Sequence, residues 1–157
     1  MSKRRVTLVL ALLIGVAAAV PVVALAGRGD ERDLLIGFEL RFTGPGTTAG
    51  SFVASGAVDD AGASTVTGLA LEPFGHRDRA RLSGTQTFAG AHGTIVTAFR
   101  GKASDVSQPH QSGQGRFRIV SGTGAYAGAS GGGEFTIVVD SAGNRLIGTE
   151  EGRIRLR

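Results

Sequence analysis

The sequence contains no cysteine and no tryptophan, and it has only one tyrosine, one methionine and four prolines. The absence of cysteine excludes disulfide bridges, thiolate metal ligands and lipid attachment to a cysteine side chain. The scarcity of tyrosine and tryptophan argues against nucleic-acid binding, because proteins that bind single strands stack aromatic side chains on the bases. We therefore expect a fold held together by burial alone, with no nucleic-acid partner.

An excess of positive charge is also missing once the N-terminus is set aside. The chain has 17 Lys and Arg residues against 13 Asp and Glu residues. Because Lys3, Arg4 and Arg5 supply three of the basic residues, residues 27–157 carry 14 basic against 13 acidic side chains. Any basic surface of the folded domain must therefore be local.

The N-terminal segment has the pattern of a secretory signal peptide. A basic head is followed by an apolar run over residues 6–20, and the small-x-small sequence Ala-Leu-Ala occupies residues 24–26. This pattern predicts a signal peptide over residues 1–26, cleavage after Ala26 and a secreted protein, with the Sec or twin-arginine route left open. The alternative is an N-terminal membrane anchor, because residues 6–26 are long enough to span a bilayer.

Glycine is abundant, at 26 of 157 residues, but it shows no collagen-like period. The glycines separate short runs rich in Val, Ile, Thr and Phe, in which apolar and polar residues alternate as in half-buried strands. We predict a short linker at 27–33 and one all-β domain over 34–157. The eight predicted strands lie at about 34–42, 51–58, 64–71, 79–88, 94–102, 114–121, 134–140 and 145–156. Short links favour an eight-stranded antiparallel up-and-down barrel, and a two-sheet β-sandwich is the alternative.

One stretch occurs twice. Residues 83–93 read SGTQTFAGAHG and residues 121–131 read SGTGAYAGASG, with seven of eleven positions identical. We interpret the pair as an internal structural repeat, used each time the chain leaves one strand and enters the next. Phe88 and Tyr126 occupy equivalent positions and are expected to pack over an end of the barrel.

The glycines of the second copy are not a nucleotide-binding loop. Gly122, Gly124 and Gly128 have the spacing G-x-G-x-x-x-G, whereas the dinucleotide fingerprint is G-x-G-x-x-G before a helix. A strand is predicted to follow, and no lysine occupies the place that a P-loop requires. We therefore exclude nucleotide binding and expect these glycines to shape a tight connection.

The run from Gly115 to Glu134 resembles the allene oxide cyclase-like and dirigent-like β-barrels. These families carry a G-T-G-x-[YF] turn between late strands of an eight-stranded barrel, and residues 122–126 read GTGAY. The resemblance implies the same barrel over residues 34–157. Plant members include a cyclase and proteins that steer radical coupling, but no catalytic residue of theirs is carried over to this chain.

Glu150 is the candidate catalytic residue. Strand parity places it on the inward face with Leu146 and Ile154, and Gly148 and Gly152 beside it should leave room for a ligand or a water. Burial would raise the pKa of the carboxyl and suit it to proton transfer. The alternative is a bulge that turns Glu150 outward to pair with an arginine. The predicted ligand-binding residues of the lumen are Gln86, Phe99, Phe117, Tyr126 and Glu150.

Basic residues alternate along the fourth, fifth and sixth strands, which are neighbours in a meander. The predicted anion-binding residues on their outer faces are Arg79, Arg81, Arg100, Lys102, Arg116 and Arg118. Such a surface fits an acidic envelope polymer or lipid headgroups, because like charges opposed across strands cost stability. The sequence favours the simpler interpretation, that exposed strand faces of an arginine-rich chain carry arginine and that Asp78, Asp105 and Glu134 offset the charge.

No metal site and no cofactor are expected, because the three histidines fall in three separate predicted loops. The favoured hypothesis is an exported barrel that binds a small apolar or amphipathic molecule in its lumen without catalysis. One alternative is a cyclase- or isomerase-type enzyme that uses Glu150. The other is an envelope or polyanion-binding module that uses the outer arginines.

Overall fold

Eight antiparallel strands form a closed barrel in the computed structural model, which describes residues 30–75 and 78–157. Each strand pairs with the next, and the last pairs with the first. The strands are β1 Glu31–Gly44, β2 Thr47–Gly56, β3 Asp60–Pro73, β4 Arg79–Gly90, β5 Gly93–Ser104, β6 His110–Gly122, β7 Ser130–Asp140 and β8 Arg145–Arg155. The predicted up-and-down barrel is confirmed, and the β-sandwich alternative is wrong. The predicted signal peptide lies outside the described residues.

Every predicted strand is present, but several begin earlier than expected. β2 begins at Thr47, β6 at His110 and β7 at Ser130, each four residues before its predicted start. β1 begins at Glu31, inside the segment assigned to a linker. The early residues of β2, β6 and β7 are mostly polar or glycine, so no apolar alternation marks them. The backbone hydrogen-bond ladder needs no apolar side chain to continue.

The connections divide the barrel into two ends. Those that follow β1, β3, β5 and β7 lie at one end, here called the rim, and those that follow β2, β4 and β6 lie at the other, here called the base. In the described part of the chain, no helix is both long and apolar enough to cross a membrane.

Alternate residues of the strands fill the lumen. The alternation is broken in β3, where a register shift between Thr67 and Ala70 brings Leu69 to the lumen after Val66. In the base half, the ring of Phe88 packs against Phe52 and Phe38, with centroids 5.2 and 6.0 Å away. Nearer the rim, Phe99 packs edge-on against Phe135 at 5.5 Å. The lumen is therefore a packed core over much of its length.

The two copies of the repeated stretch differ in conformation, so the prediction of a shared turn is wrong. Residues 83–90 lie within β4, whereas the second copy leaves β6 at Gly122 and forms a 3₁₀ turn at Gly124–Tyr126. Gly124 has a φ of 60°, which favours glycine, and the equivalent residue of the first copy is Gln86, a strand residue. The glycine at this position in the second copy permits the turn that the first copy does not make.

Candidate functional site

A cavity occupies the rim half of the lumen. The empty space between its walls, including the part that opens to solvent, is about 370 Å³. Only about 20 Å³ of it is wide enough to take the centre of a water-sized sphere. That space suits one water molecule. The lining is apolar apart from three side chains, and its members are Phe38, Leu40, Thr48, Val66, Leu69, Leu82, Gln86, Phe99, Phe135, Ile137, Leu146 and Glu150.

Glu150 lies at the inner end of this cavity. β8 pairs without a register shift on both sides, opposite Ile36 on β1 and Phe135 on β7, so strand parity turns the side chain inward. The residue is 1% exposed. The predicted inward orientation is confirmed, and the alternative of an outward bulge is wrong.

The Glu150 carboxyl is only half satisfied by hydrogen bonds. Thr97 on β5 donates from Oγ1 to Glu150 Oε1 across the lumen at 3.0 Å. The second oxygen, Oε2, is buried and has no hydrogen-bond partner among the described residues. A buried carboxyl oxygen without a partner costs stability, and it is free to bind a donor or acceptor that enters the cavity.

Burial raises the pKa of Glu150 to about 8, and the hydrogen bond from Thr97 acts in the opposite direction. A carboxyl is harder to ionise in apolar surroundings because its charged form loses hydration. At neutral pH the group is therefore mostly protonated. It can donate a hydrogen bond or a proton, and near its pKa it can take the proton back.

The glycines beside Glu150 do not leave the space that the sequence predicts. A Cβ on Gly148 would lie 2.5 Å from Cζ of Phe38 and 2.7 Å from Cγ2 of Ile137. A Cβ on Gly152 would collide with the backbone oxygen of Gly132. Neighbouring side chains and backbone therefore already occupy the room next to Glu150 on its own strand.

The lumen also contains small polar residues that are not among the predicted site residues. Gln86 donates from Nε2 to Ser64 Oγ at 2.9 Å, and both residues are buried. Thr48 Oγ1 is buried without a partner in the described structure. Strand parity identifies Ser64 and Thr97 as inward residues, but Ser and Thr occur on both faces of strands and do not mark a site. Thr48 precedes the predicted start of the second strand, so parity does not place it.

The structure brings together three of the five predicted ligand-binding residues. Gln86, Phe99 and Glu150 line the cavity, and β4 extends far enough to turn Gln86 inward. Phe117 is buried in the core but does not line the cavity. Tyr126 lies at the base, at the other end of the barrel.

A second buried carboxyl, Asp60, organises the base. It accepts four hydrogen bonds, from the backbone N–H groups of Ala61 and Ala91 at 2.8 Å, from His92 N–H at 3.3 Å and from Tyr126 Oη at 2.9 Å. Burial, and then the bond to Asp60, raises the pKa of the Tyr126 phenol. These contacts tie together three connections and close the base. In the sequence, Asp60 falls in Asp-Asp-Ala-Gly between the second and third predicted strands, a pattern that predicts a turn.

All six predicted anion-binding residues share the outer faces of β4, β5 and β6, and together they are called the basic stripe. Arg81 is in register with Lys102, and Arg100 with Arg116. Every member of the stripe is exposed. Within the described residues, no acidic group lies within ion-pair distance of any of them.

Two other kinds of site find no support in the geometry. Across residues 30–75 and 78–157, no group of three His, Asp or Glu side chains is placed to hold a metal ion, and His76 lies outside that range. Residues 128–132 have the spacing G-x-S-x-G of a nucleophile elbow. Ser130 opens strand β7, however, whereas the elbow needs a turn from a strand into a helix.

The described residues thus form a closed barrel whose lumen holds an apolar cavity that ends on a half-satisfied carboxyl. No protein-family profile, curated protein or solved structure matches the chain.

Proposed function

We propose that this protein binds a small apolar or amphipathic molecule in the rim half of its lumen, without transforming it. The observation that carries the proposal is the buried Glu150 oxygen that lacks a partner among the described residues, at the inner end of an apolar cavity. Ligand sites commonly combine apolar walls with a few polar groups that fix orientation. Glu150, Gln86 and Thr48 are the polar groups of this lumen wall.

The dimensions of the cavity restrict the ligand. Because only about 20 Å³ accepts the centre of a water-sized sphere, the free barrel holds no more than about one water there. A ligand enters when side chains at the rim, such as the partly exposed Leu69 and Ile137, move aside. A narrow apolar body with a neutral polar end fits best, because the polar end reaches a carboxyl that is mostly protonated at neutral pH.

A second candidate function is proton-transfer catalysis of the isomerase or cyclase type at the same place. The raised pKa of Glu150 favours it, because an acid–base group works best when its pKa lies near the working pH. The resemblance of residues 115–134 to allene oxide cyclase-like and dirigent-like barrels also favours it, and we include a distant relationship to those families in the proposal. The closed eight-stranded meander is consistent with that relationship.

The proposal includes export of the chain. The basic head, the apolar run and the Ala-Leu-Ala sequence support a signal peptide that is cleaved after Ala26. The mature protein would then begin at Gly27. A retained N-terminal anchor is the alternative.

The test is native mass spectrometry of the protein recovered gently from its own host. The protein mass reports whether residues 1–26 are present. A second, heavier species reports a ligand and gives its mass. If every preparation, including one made without detergent or organic solvent, contains the bare chain alone, the carrier function is contradicted.

A matched pair of variants assigns any ligand to the lumen. Glu150→Gln changes the inward carboxyl, and Glu151→Gln makes the same change on the next residue, which is exposed. The heavier species should be reduced in the first variant and kept in the second. Conversion of the isolated ligand to an isomer by the wild type, and not by Glu150→Gln, would replace the carrier function with the enzyme.

A further inference from the structure

The basic stripe differs from the other charged face of the barrel. Across the β1–β8 seam, arginines are paired with acids: Arg145 with Glu39 at 2.8 Å and Arg153 with Asp33 at 3.6 Å. Arg155 lies 3.7 Å from Glu31 on the same face. This chain therefore neutralises arginines on one side of the barrel by placing acids on the adjacent strand.

On the stripe, basic residues face each other instead. Arg100 is opposite Arg116 and Arg81 is opposite Lys102, with Cα atoms about 5 Å apart in such pairs. Like charges in directly opposed positions destabilise a sheet. Glu72 and Glu134 are in register with Arg81 and Arg116 at the edges of the stripe, yet neither forms an ion pair within the described structure.

The outer surface is concave at the rim end of the stripe. A depression lies over β4, β5 and β6, between Arg79 and Lys102. Ser104, Ser112 and Gln114 add hydroxyl and amide groups to its wall. Two cations together with neutral hydrogen-bond donors form a suitable setting for an oxyanion such as a carboxylate or a phosphate.

The stripe is long and narrow. It runs diagonally from Arg79 on β4 to Arg118 on β6, a distance of about 20 Å at the usual rise per residue and strand spacing. A convex barrel flank touches a flat membrane along a line, whereas a flexible chain can follow a diagonal across three strands. Arg81 is further held by its position over the ring of Phe74, 5.5 Å from its centroid.

We propose that the basic stripe binds an extended anionic polymer, with one oxyanion group in the depression between Arg79 and Lys102 and further groups along the arginines towards Arg118. The polymer supplies negative charge along the stripe, where Glu72 and Glu134 lie in register only with Arg81 and Arg116 at its edges. Its repeating group is a carboxylate or a phosphate, since arginine binds both through paired hydrogen bonds. This site is separate from the lumen and does not depend on the function proposed for it.

The test measures the binding of fluorescently labelled polygalacturonate and of long-chain inorganic polyphosphate to the purified protein. We expect binding to at least one polymer, with an affinity that falls at least about tenfold between about 50 mM and about 200 mM NaCl. The preferred polymer identifies the oxyanion as carboxylate or phosphate. Binding to neither polymer, or binding that is indifferent to salt, would overturn the proposal.

Two triple variants with the same change in net charge locate the site. Arg81→Gln, Arg100→Gln and Arg116→Gln should together weaken binding by about tenfold or more, because they remove three charges from the stripe. Arg145→Gln, Arg153→Gln and Arg155→Gln should change it by less than about threefold, because these residues lie on the opposite flank. An equal loss in both variants would mean that only net charge matters, and would contradict a site on the stripe.

Two further measurements exclude misfolding and a membrane partner. The stripe variant should unfold at the same or a higher temperature than the wild type, since it removes like-charge contacts. Arg-to-Lys changes at the same three positions should keep most of the binding. Tighter association with vesicles of phosphatidylcholine and phosphatidylglycerol than with either polymer would replace the polymer with a lipid surface.

Discussion

Asp60 and Glu150 are buried carboxyl groups of the same barrel, but Asp60 accepts four hydrogen bonds and Glu150 accepts one. The donors to Asp60 are two backbone N–H groups of the β4–β5 connection, one at the start of β3 and the hydroxyl of a buried tyrosine in the β6–β7 connection. Glu150 has a single donor, and its other oxygen faces the cavity lining without a partner in the described structure. The first carboxyl is used up in closing the base, whereas the second keeps unused bonding capacity, which is what a binding site needs.

The largest expected effect is on the pH dependence of stability. In the unfolded chain the Glu150 carboxyl has its ordinary pKa of 4.5, whereas in the barrel its pKa is about 8. Between these values the unfolded state binds fewer protons, so the free energy of unfolding falls as pH rises, by up to about 5 kcal/mol. Below pH 4.5 the stabilising contribution of the protonated Glu150 is fully present. Above about pH 8 it has been lost, and the free energy of unfolding no longer changes with this group.

The free energy of unfolding of Glu150→Gln should therefore rise relative to that of the wild type from about pH 5 to about pH 8, as measured by urea unfolding followed by circular dichroism. Glu151→Gln, on the outer face, should follow the wild-type curve. Parallel curves for the wild type and Glu150→Gln would show that the Glu150 carboxyl ionises at an ordinary pH, and would contradict the raised pKa.

The second effect concerns the base. Asp60→Ala leaves the Tyr126 hydroxyl and backbone N–H groups without their acceptor, and should reduce the free energy of unfolding at neutral pH by about 3 to 4 kcal/mol. Asp59→Ala is the control, because Asp59 is exposed and accepts a hydrogen bond only from Gly56 N–H within the described residues. A cost for Asp60→Ala as small as that of its neighbour would mean that the base closes without this network.

A smaller effect is expected for Tyr126→Phe. The change removes one of the four donors to Asp60 and keeps the packing of the ring, so we expect a loss of about 1 to 2 kcal/mol in thermal or urea unfolding. Combined with Asp60→Ala, it should add little, because the hydroxyl has then already lost its partner. Full additivity of the two changes would show that they act independently.

The smallest change in stability is expected for Thr97→Val, about 1 kcal/mol. This variant is informative through its pH profile, because the Thr97 hydrogen bond lowers the pKa of Glu150. Without it, the pH-dependent loss of stability should extend to a higher pH than in the wild type. A midpoint that stays in place or moves down would contradict the assigned hydrogen bond.

The strands and the inward orientation of Glu150 could be predicted from the sequence because both follow from a period of two. Alternation marks a strand wherever apolar residues recur, and parity holds along β8 because its ladders contain no register shift. The ends of β2 and β7 were missed because their Gly, Ser and Thr residues carry no such signal.

Contacts across the lumen could not be predicted from the sequence. Strand parity indicates which residues point inward, but it does not indicate which of them are in contact. Thr97 and Glu150 come from strands on different sides of the barrel, and Phe38 fills the place next to Gly148. Asp60 was missed for a related reason: the sequence Asp-Asp-Ala-Gly is typical of a turn, and only the folded base shows that its second aspartate is the first residue of β3.

The pairing of β1 with β8 has a consequence for the order of folding. Register partners such as Leu34 and Gly152 lie near opposite ends of the described chain, so the seam closes through one of its longest-range contacts. Long-range strand pairs form slowly, and until β8 is in place β1 and β7 each present an open edge that invites pairing with other chains. An incomplete barrel of seven strands is thus the state most prone to aggregation, and loss of β8 would release two sheet edges at once.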